Sequence, residues 1–211
     1  MTIVVAGEGL TDYLVIKNML IGYFDDKNLP ISRLLPKDKE PVGWGNVLKY
    51  ISSKEFIENI EDADYCIVQI DSKECEDWDL GLKQIGDNAS KVKYFIDEII
   101  KVLIDKIGND YEQFKDKIIF AVTVHELECW LLPFNTDNKA HCKKMVSCST
   151  TIETLAKTRG FSIHQKHYRE GRNYEELSKN MKKQKELLKK SKLNPSLAIF
   201  IDNLNTIFKN F

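Results

Sequence analysis

The sequence predicts an α/β protein, a parallel-rich sheet with helices on both faces followed by a helical, basic C-terminal extension. Two observations predict it. Up to about residue 134, short apolar runs alternate with helically spaced stretches of roughly 12–20 residues, the order that yields crossover-connected parallel strands. Beyond that point the strand-like runs stop and the charge changes sign. The 211 residues carry a net charge of −1, yet residues 1–138 hold 15 Lys+Arg against 26 Asp+Glu, and residues 139–192 hold 15 against 5. The same divide suggests an α/β core over 1–138 and a basic extension over 139–211, packed on the core as one globular unit.

Each element follows from local pattern. Residues 2–6 form a short β-branched run, read as a buried strand that Gly7-Glu8-Gly9 breaks. Thr11 is placed to cap a helix over residues 12–24, with Leu14, Ile16, Met19, Leu20 and Tyr23 facing inward. Residues 31–35 are a weaker strand ended by Pro36, and residues 46–60 read as one helix. Residues 65–70 are a buried strand ending on Asp71, and residues 71–79 an acidic loop. Residues 88–107 have clear helical spacing, residues 118–124 are the last strong strand, and a helix starting at His125 is expected to stop at Pro133. In the extension, residues 151–158 and 174–190 read as helices. A last helix begins at Pro195, where proline suits the first turn, and a loop is expected around Gly160 and Gly171.

An apolar fraction of 43% supports a packed interior and argues against disorder. No stretch reaches the roughly 18 uninterrupted apolar residues that a membrane span needs. The opening residues lack the basic region of a signal peptide, so a cytoplasmic location is expected, with all five cysteines as reduced thiols. His141, Cys142, Cys148, His164 and His167 invite a zinc reading, but zinc is disfavoured because Cys142 and Cys148, and His164 and His167, miss the usual ligand spacings.

The chemistry is expected at the carboxyl ends of the strands, where ligands bind in open α/β sheets. The first strong strand ends on Glu8, with Asp12 one turn beyond. The next ends on Asp71, with Glu74, Glu76, Asp77 and Asp79 in its loop, and the last ends near Glu126 and Glu128. Converging carboxylates repel one another, and burial strengthens the repulsion, so a cation is the natural neutraliser. Mg²⁺ (or Mn²⁺) fits an all-oxygen set. Each acid also has a plainer reading: Glu8, Asp12 and Glu126 as favourable acids near a helix N-terminus, Asp71 as a cap, and Glu74 to Asp79 as solvated loop residues. Glu128, set in an apolar run through Leu132, is the hardest to explain as surface. Lys157, Arg159, Lys166, His167, Arg169 and Arg172, with Tyr168 and Tyr174 among them, could contact a nucleic-acid backbone and its bases, or form a solvated surface.

Four blocks carry a resemblance to a family. Val4-Val5-Ala6-Gly7-Glu8-Gly9-Leu10-Thr11-Asp12 resembles the Glu-Gly-x-Thr-Asp/Glu opening of Toprim domains, and Ile67-Val68-Gln69-Ile70-Asp71 looks like the strand bearing their Asp-x-Asp motif. His125-Glu126-Leu127-Glu128-Cys129-Trp130-Leu131-Leu132 is similar to a Glu-x-Trp-Leu-Leu block of compact Toprim-like proteins, the RloB-like group and relatives of OLD-family nucleases. Asn194-Pro195-Ser196-Leu197 resembles the ending of that class. The resemblance implies a Toprim-like fold and a Mg²⁺-dependent nuclease of anti-phage defence acting on DNA or RNA, tRNA included. It makes Glu8 and Asp71 metal-binding and catalytic, with Glu128 completing the site. It departs at Lys73, where the second motif Asp would fall. Glu74 or Asp77 could then substitute as ligand, and Lys73 could contact phosphate. The departure equally suits a non-catalytic regulatory or binding subunit that works with a partner ATPase.

Overall fold

The structure is a computed structural model that describes residues 1–37, 43–78, 81–163 and 170–209. Strands β1 (Ile3–Ala6), β2 (Ile31–Leu35), β3 (Tyr65–Asp71) and β4 (Ile118–Thr123) form one parallel sheet in the order β2-β1-β3-β4. The chain leaves β1 toward β2 on one side and returns to β3 on the other. The gap between β1 and β3 is therefore the point where the strand order reverses, the usual ligand crevice of an open α/β sheet.

Alternation along the strands divides the core into two layers. Ile3, Val5, Ile67, Ile119 and Ala121 face one layer, whereas Val4, Ala6, Cys66, Val68, Ile70, Ile118, Phe120 and Val122 face the other. The second layer is filled by α2 (Trp44–Ile51), α3 (Lys54–Glu61), α4 (Val92–Ile107) and α5 (Tyr111–Phe114). The first holds α1 (Leu10–Phe24), α6 (Glu128–Asn135), α8 (Cys148–Thr158), α9 (Glu170–Ser178), α10 (Gln184–Lys190) and α11 (Pro195–Ile207), with the short α7 (Lys139–Cys142) beside α6. The arrangement is α/β with helices on both faces and is consistent with a Toprim-like fold. Ile3, Trp130, Ile152, Tyr174 and Phe200 share one buried cluster, so residues on both sides of position 138 build the same core.

Several expectations are corrected. Gly9, not Thr11, is the N-cap of α1, and no side chain caps it. The stretch 46–60 divides because Ser53 caps α3 by accepting from the Phe56 N–H at 3.2 Å. The acidic loop after β3 contains a 3-10 turn, Cys75–Trp78. Gly171 lies inside α9, and residues 174–190 split into α9, a 3-10 turn and α10.

Pro133 does not stop α6, which runs on to Asn135. A proline there deprives the Cys129 carbonyl, four residues back, of its helical partner. Asn194 Nδ2 donates to that carbonyl at 3.3 Å, and Trp130 Nε1 donates to Ser196 Oγ at 2.7 Å. The Asn194 side-chain oxygen also caps α11 through the Leu197 N–H at 3.1 Å. The Trp130 and Asn194 blocks are thus one structural lock.

Helix α11 lies alongside the free edge of β4. Its Phe200 and Leu204 pack in the first layer while Ile199 reaches the second. Among the described residues no helix is long and apolar enough to cross a membrane.

Candidate metal centre

Glu8 leaves the end of β1 beside the crevice. Its Oε1 accepts from the Asp71 N–H at 2.6 Å, and its own N–H donates to Gln69 Oε1 at 3.3 Å. One hydrogen bond thus joins the acid after β1 to the acid that ends β3. Asp12 lies in the first turn of α1 and is 7% exposed. The glycines around Glu8 make room for these neighbours. A Cβ on Gly9 would lie 2.9 Å from Asp12 Oδ2, and one on Gly7 3.1 Å from Gln69 Oε1. Neither glycine has a positive φ, so close approach rather than turn geometry calls for them.

Asp71 is the most heavily held of the acids. Gln69 Nε2 donates to Oδ1 at 2.9 Å, the Leu127 N–H donates to Oδ2 at 3.2 Å, and the Thr123 hydroxyl also donates to Oδ1. Glu128 opens α6, and its Oε1 accepts from the Tyr174 hydroxyl of α9.

The electrostatics tie these four acids together. Burial, then the charge of Asp12, pushes Glu8 up to about 8. Burial, then Glu128, pushes Asp12 up to about 7. Burial, then Glu8, Asp12 and Glu128, holds Asp71 well above the usual carboxylate range. Burial raises Glu128, against the pull of the Tyr174 hydrogen bond. A site at which four acids resist ionisation for want of positive charge has the electrostatic character of a cation site. The set is loose. Among the described residues, the group of ligand-type side chains whose ligand atoms all lie within 4.8 Å of one another is instead Glu126, Cys129 and Cys148. Mg²⁺ keeps several of its waters, so a splayed set of carboxylates that reaches it partly through water still fits its chemistry.

Glu126 sits beside the four, and its charge raises Glu128, but its carboxylate is engaged elsewhere. Its Oε1 accepts from the Ser149 N–H at 2.7 Å, and its Oε2 lies 3.2 Å from Ser149 Oγ and 3.3 Å from Lys73 Nζ. It therefore closes the start of α8 and holds Lys73, rather than facing Asp71. Lys73 is 61% exposed at its side chain, and its charge also reaches Glu128. Of the suggested substitute ligands, Glu74 is close enough to raise Glu8, whereas Asp77 is exposed and raises Cys75 instead.

The cysteine expectation is overturned in part. Cys129 and Cys148, at the starts of α6 and α8, have Cα atoms 5.0 Å apart and are joined as a disulfide, while Cys66, Cys75 and Cys142 are free and buried. As a disulfide, the two sulfurs are not available to Glu126 as thiolate ligands.

The basic segment is only partly a free cationic surface. Arg159 is exposed, and its guanidinium donates to Asn135 Oδ1 at 2.7 Å and to the Asn135 carbonyl at 2.8 Å, which ties it to the end of α6. Lys157 pairs with Glu153 at 3.1 Å, and Lys179 and Lys182 pair with Glu176 and Glu175. Arg172 is exposed on α9. Lys166, His167, Tyr168 and Arg169 lie outside the described residues, as do His164 and Asp79. Tyr174 is buried and does not present its ring for base stacking.

Sequence reasoning missed Gln69 and Thr123 as holders of Asp71. Each is a fully buried polar residue within an apolar strand, and that break in pattern is the signal that could have marked them. Compared with known proteins, the chain matches no protein-family model, no curated protein and no solved structure.

Proposed function

We propose that this chain is a Mg²⁺-dependent Toprim-type nuclease, a phosphodiesterase acting on DNA or RNA in anti-phage defence within a cytoplasm. The reading is carried by the meeting of Glu8, Asp12, Asp71 and Glu128 at the strand ends beside the crevice, with the Glu8 carboxylate accepting from the Asp71 backbone N–H. Glu8, Asp12, Asp71 and Glu128 would hold the metal. When bound, Mg²⁺ would polarise a phosphoryl oxygen and lower the pKa of a water.

The chain's own groups supply the rest. Gln69, Thr123 and the Leu127 N–H keep Asp71 from rotating away. Lys73, exposed at the rim, offers a point charge to a phosphate, and Arg172 lies two residues before Tyr174 on the helix that reaches Glu128. The Glu8→Ala variant is expected to lose Mn²⁺- or Mg²⁺-dependent cleavage of every nucleic acid tested while keeping its thermal unfolding transition. Full activity in that variant would overturn the assignment.

One observation favours a second reading, a non-catalytic regulatory or binding subunit working with an ATPase. Lys73 stands where the resemblance calls for a second carboxylate, and it is paired with Glu126, itself a candidate ligand. Calorimetric titration separates the two readings: no heat from millimolar Mg²⁺ or Mn²⁺ favours the subunit, and saturable binding favours the nuclease.

A further inference from the structure

Tyr174 is the one described residue of the C-terminal segment whose side chain hydrogen-bonds to an acid of the four. It sits on α9, it is 6% exposed, and its hydroxyl donates to Glu128 Oε1. Helix α9 is fastened to the two helices that carry Asp12 and Glu128. Along α1, Gly171 packs against Leu10 and Leu14, and Asn18 Nδ2 donates to Ser178 Oγ at 2.7 Å. One turn further on, Gly22 meets the chain directly, since a Cβ there would lie 1.8 Å from the Met181 carbonyl oxygen. At the end of α6, Asn135 Nδ2 donates to the Leu177 carbonyl at 3.0 Å. Ser178 Oγ in turn donates to the Tyr174 carbonyl at 2.6 Å. Helix α9, and Tyr174 with it, is thus held against both α1 and α6.

We propose that Tyr174 is a positioning residue of the metal centre, its hydroxyl fixing the Glu128 carboxylate in the orientation that a divalent cation uses. The inference rests on the metal reading and extends it: the centre is completed by a segment 46 residues beyond Glu128. The chemistry is that of an outer hydrogen-bond partner. A carboxylate at the first residue of a helix has freedom to swing toward solvent. A donor locked on one oxygen removes that freedom and leaves the carboxylate ionisable. Loss of such partners costs metal sites about 10- to 100-fold in affinity.

The test uses the full chain and Mn²⁺ as the probe, read by calorimetry and by the paramagnetic resonance spectrum of the bound ion. Tyr174→Phe keeps the ring and its packing and removes only the donor. It is expected to weaken Mn²⁺ about tenfold or more and to alter the bound-ion spectrum. Ser178→Ala loosens α9 but leaves the Tyr174 hydroxyl in place, and is expected to weaken Mn²⁺ clearly less than Tyr174→Phe does and to alter the spectrum less. Equal losses in the two variants would make the effect one of helix packing and overturn the proposal. Unchanged binding in Tyr174→Phe, with the parent chain binding and Glu8→Gln not binding, would overturn the positioning role alone. Absence of Mn²⁺ binding by the parent chain would overturn the metal reading, and the positioning role with it.

Discussion

Asp12 illustrates how a single buried acid shapes its surroundings. Its Oδ2 occupies the space that any side chain at position 9 would need, and after burial its charge is the strongest influence on Glu8. Raised carboxyl groups link stability to pH in a defined direction. In the unfolded chain, Glu8 and Asp12 would give up their protons near 4.5 and 3.8, but in the folded chain they keep them to about 8 and about 7. The folded form binds more protons between those limits, so this stabilisation is full below the lower values and is lost as pH rises through the upper ones. The thermal midpoint in chelator is therefore expected to fall between about pH 5 and about pH 9, and millimolar Mg²⁺ to flatten the fall by supplying the missing positive charge. A midpoint that rises with pH in chelator would contradict the shifts. Glu8, Asp71 and Glu128 were legible in the sequence because each ends or interrupts an apolar run, where a charge is costly unless something nearby offsets it. Glu126 was not, for want of orientation: one residue separates it from Glu128, yet the left-handed backbone of His125 at φ 65° precedes it, and its carboxylate meets Ser149 instead. Tyr174 was hidden among basic residues, and no local pattern says that its hydroxyl points inward.

At the level of elements, the crossing of α6 and α8 is pinned twice, by the Cys129–Cys148 disulfide and by Glu126 at the start of α8. The bridge closes a loop of sequence separation 19, and a cross-link of that span stabilises by about 3 kcal/mol through the unfolded chain. Cys148→Ala is expected to lower the unfolding free energy by about that amount, and the parent chain in reductant to match it. Thiol titration of the denatured chain should count three thiols before reduction and five after. Five thiols without reductant would show the bridge to be absent in solution. The strands were legible in the sequence to within a residue or two, because buried β-branched runs are short and sharply bounded. Helix continuity was less so. Pro133 reads locally as a helix end, but Asn194 compensates for the lost bond from 65 residues away, and only the folded chain brings the two together.

Over the whole molecule, the sheet order β2-β1-β3-β4 sets where chemistry can occur, and the two layers set what holds it. The architecture was legible because strand and helix alternate as far as β4. Packing of the residues beyond 138 on the core was expected, but the depth of their entry into it was not legible, because their net positive charge suggested a surface. In the fold, several of those lysines are matched to acids, and apolar residues such as Leu177, Leu187 and Phe200 enter the main core. The position of α11 beside β4 has one more consequence. An outermost strand presents a row of unpaired N–H and C=O groups on which another chain can build, and β4 is both apolar and continuous. The last helix packs against that strand, and is expected to keep it from pairing with another chain. A chain ending at residue 193 also loses Leu197, Phe200 and Leu204 from the core and is expected to be less stable, so the edge is read by intermolecular β signal in the infrared under conditions where the truncated chain stays folded, and a folded truncated chain without that signal would show that the guard is unnecessary.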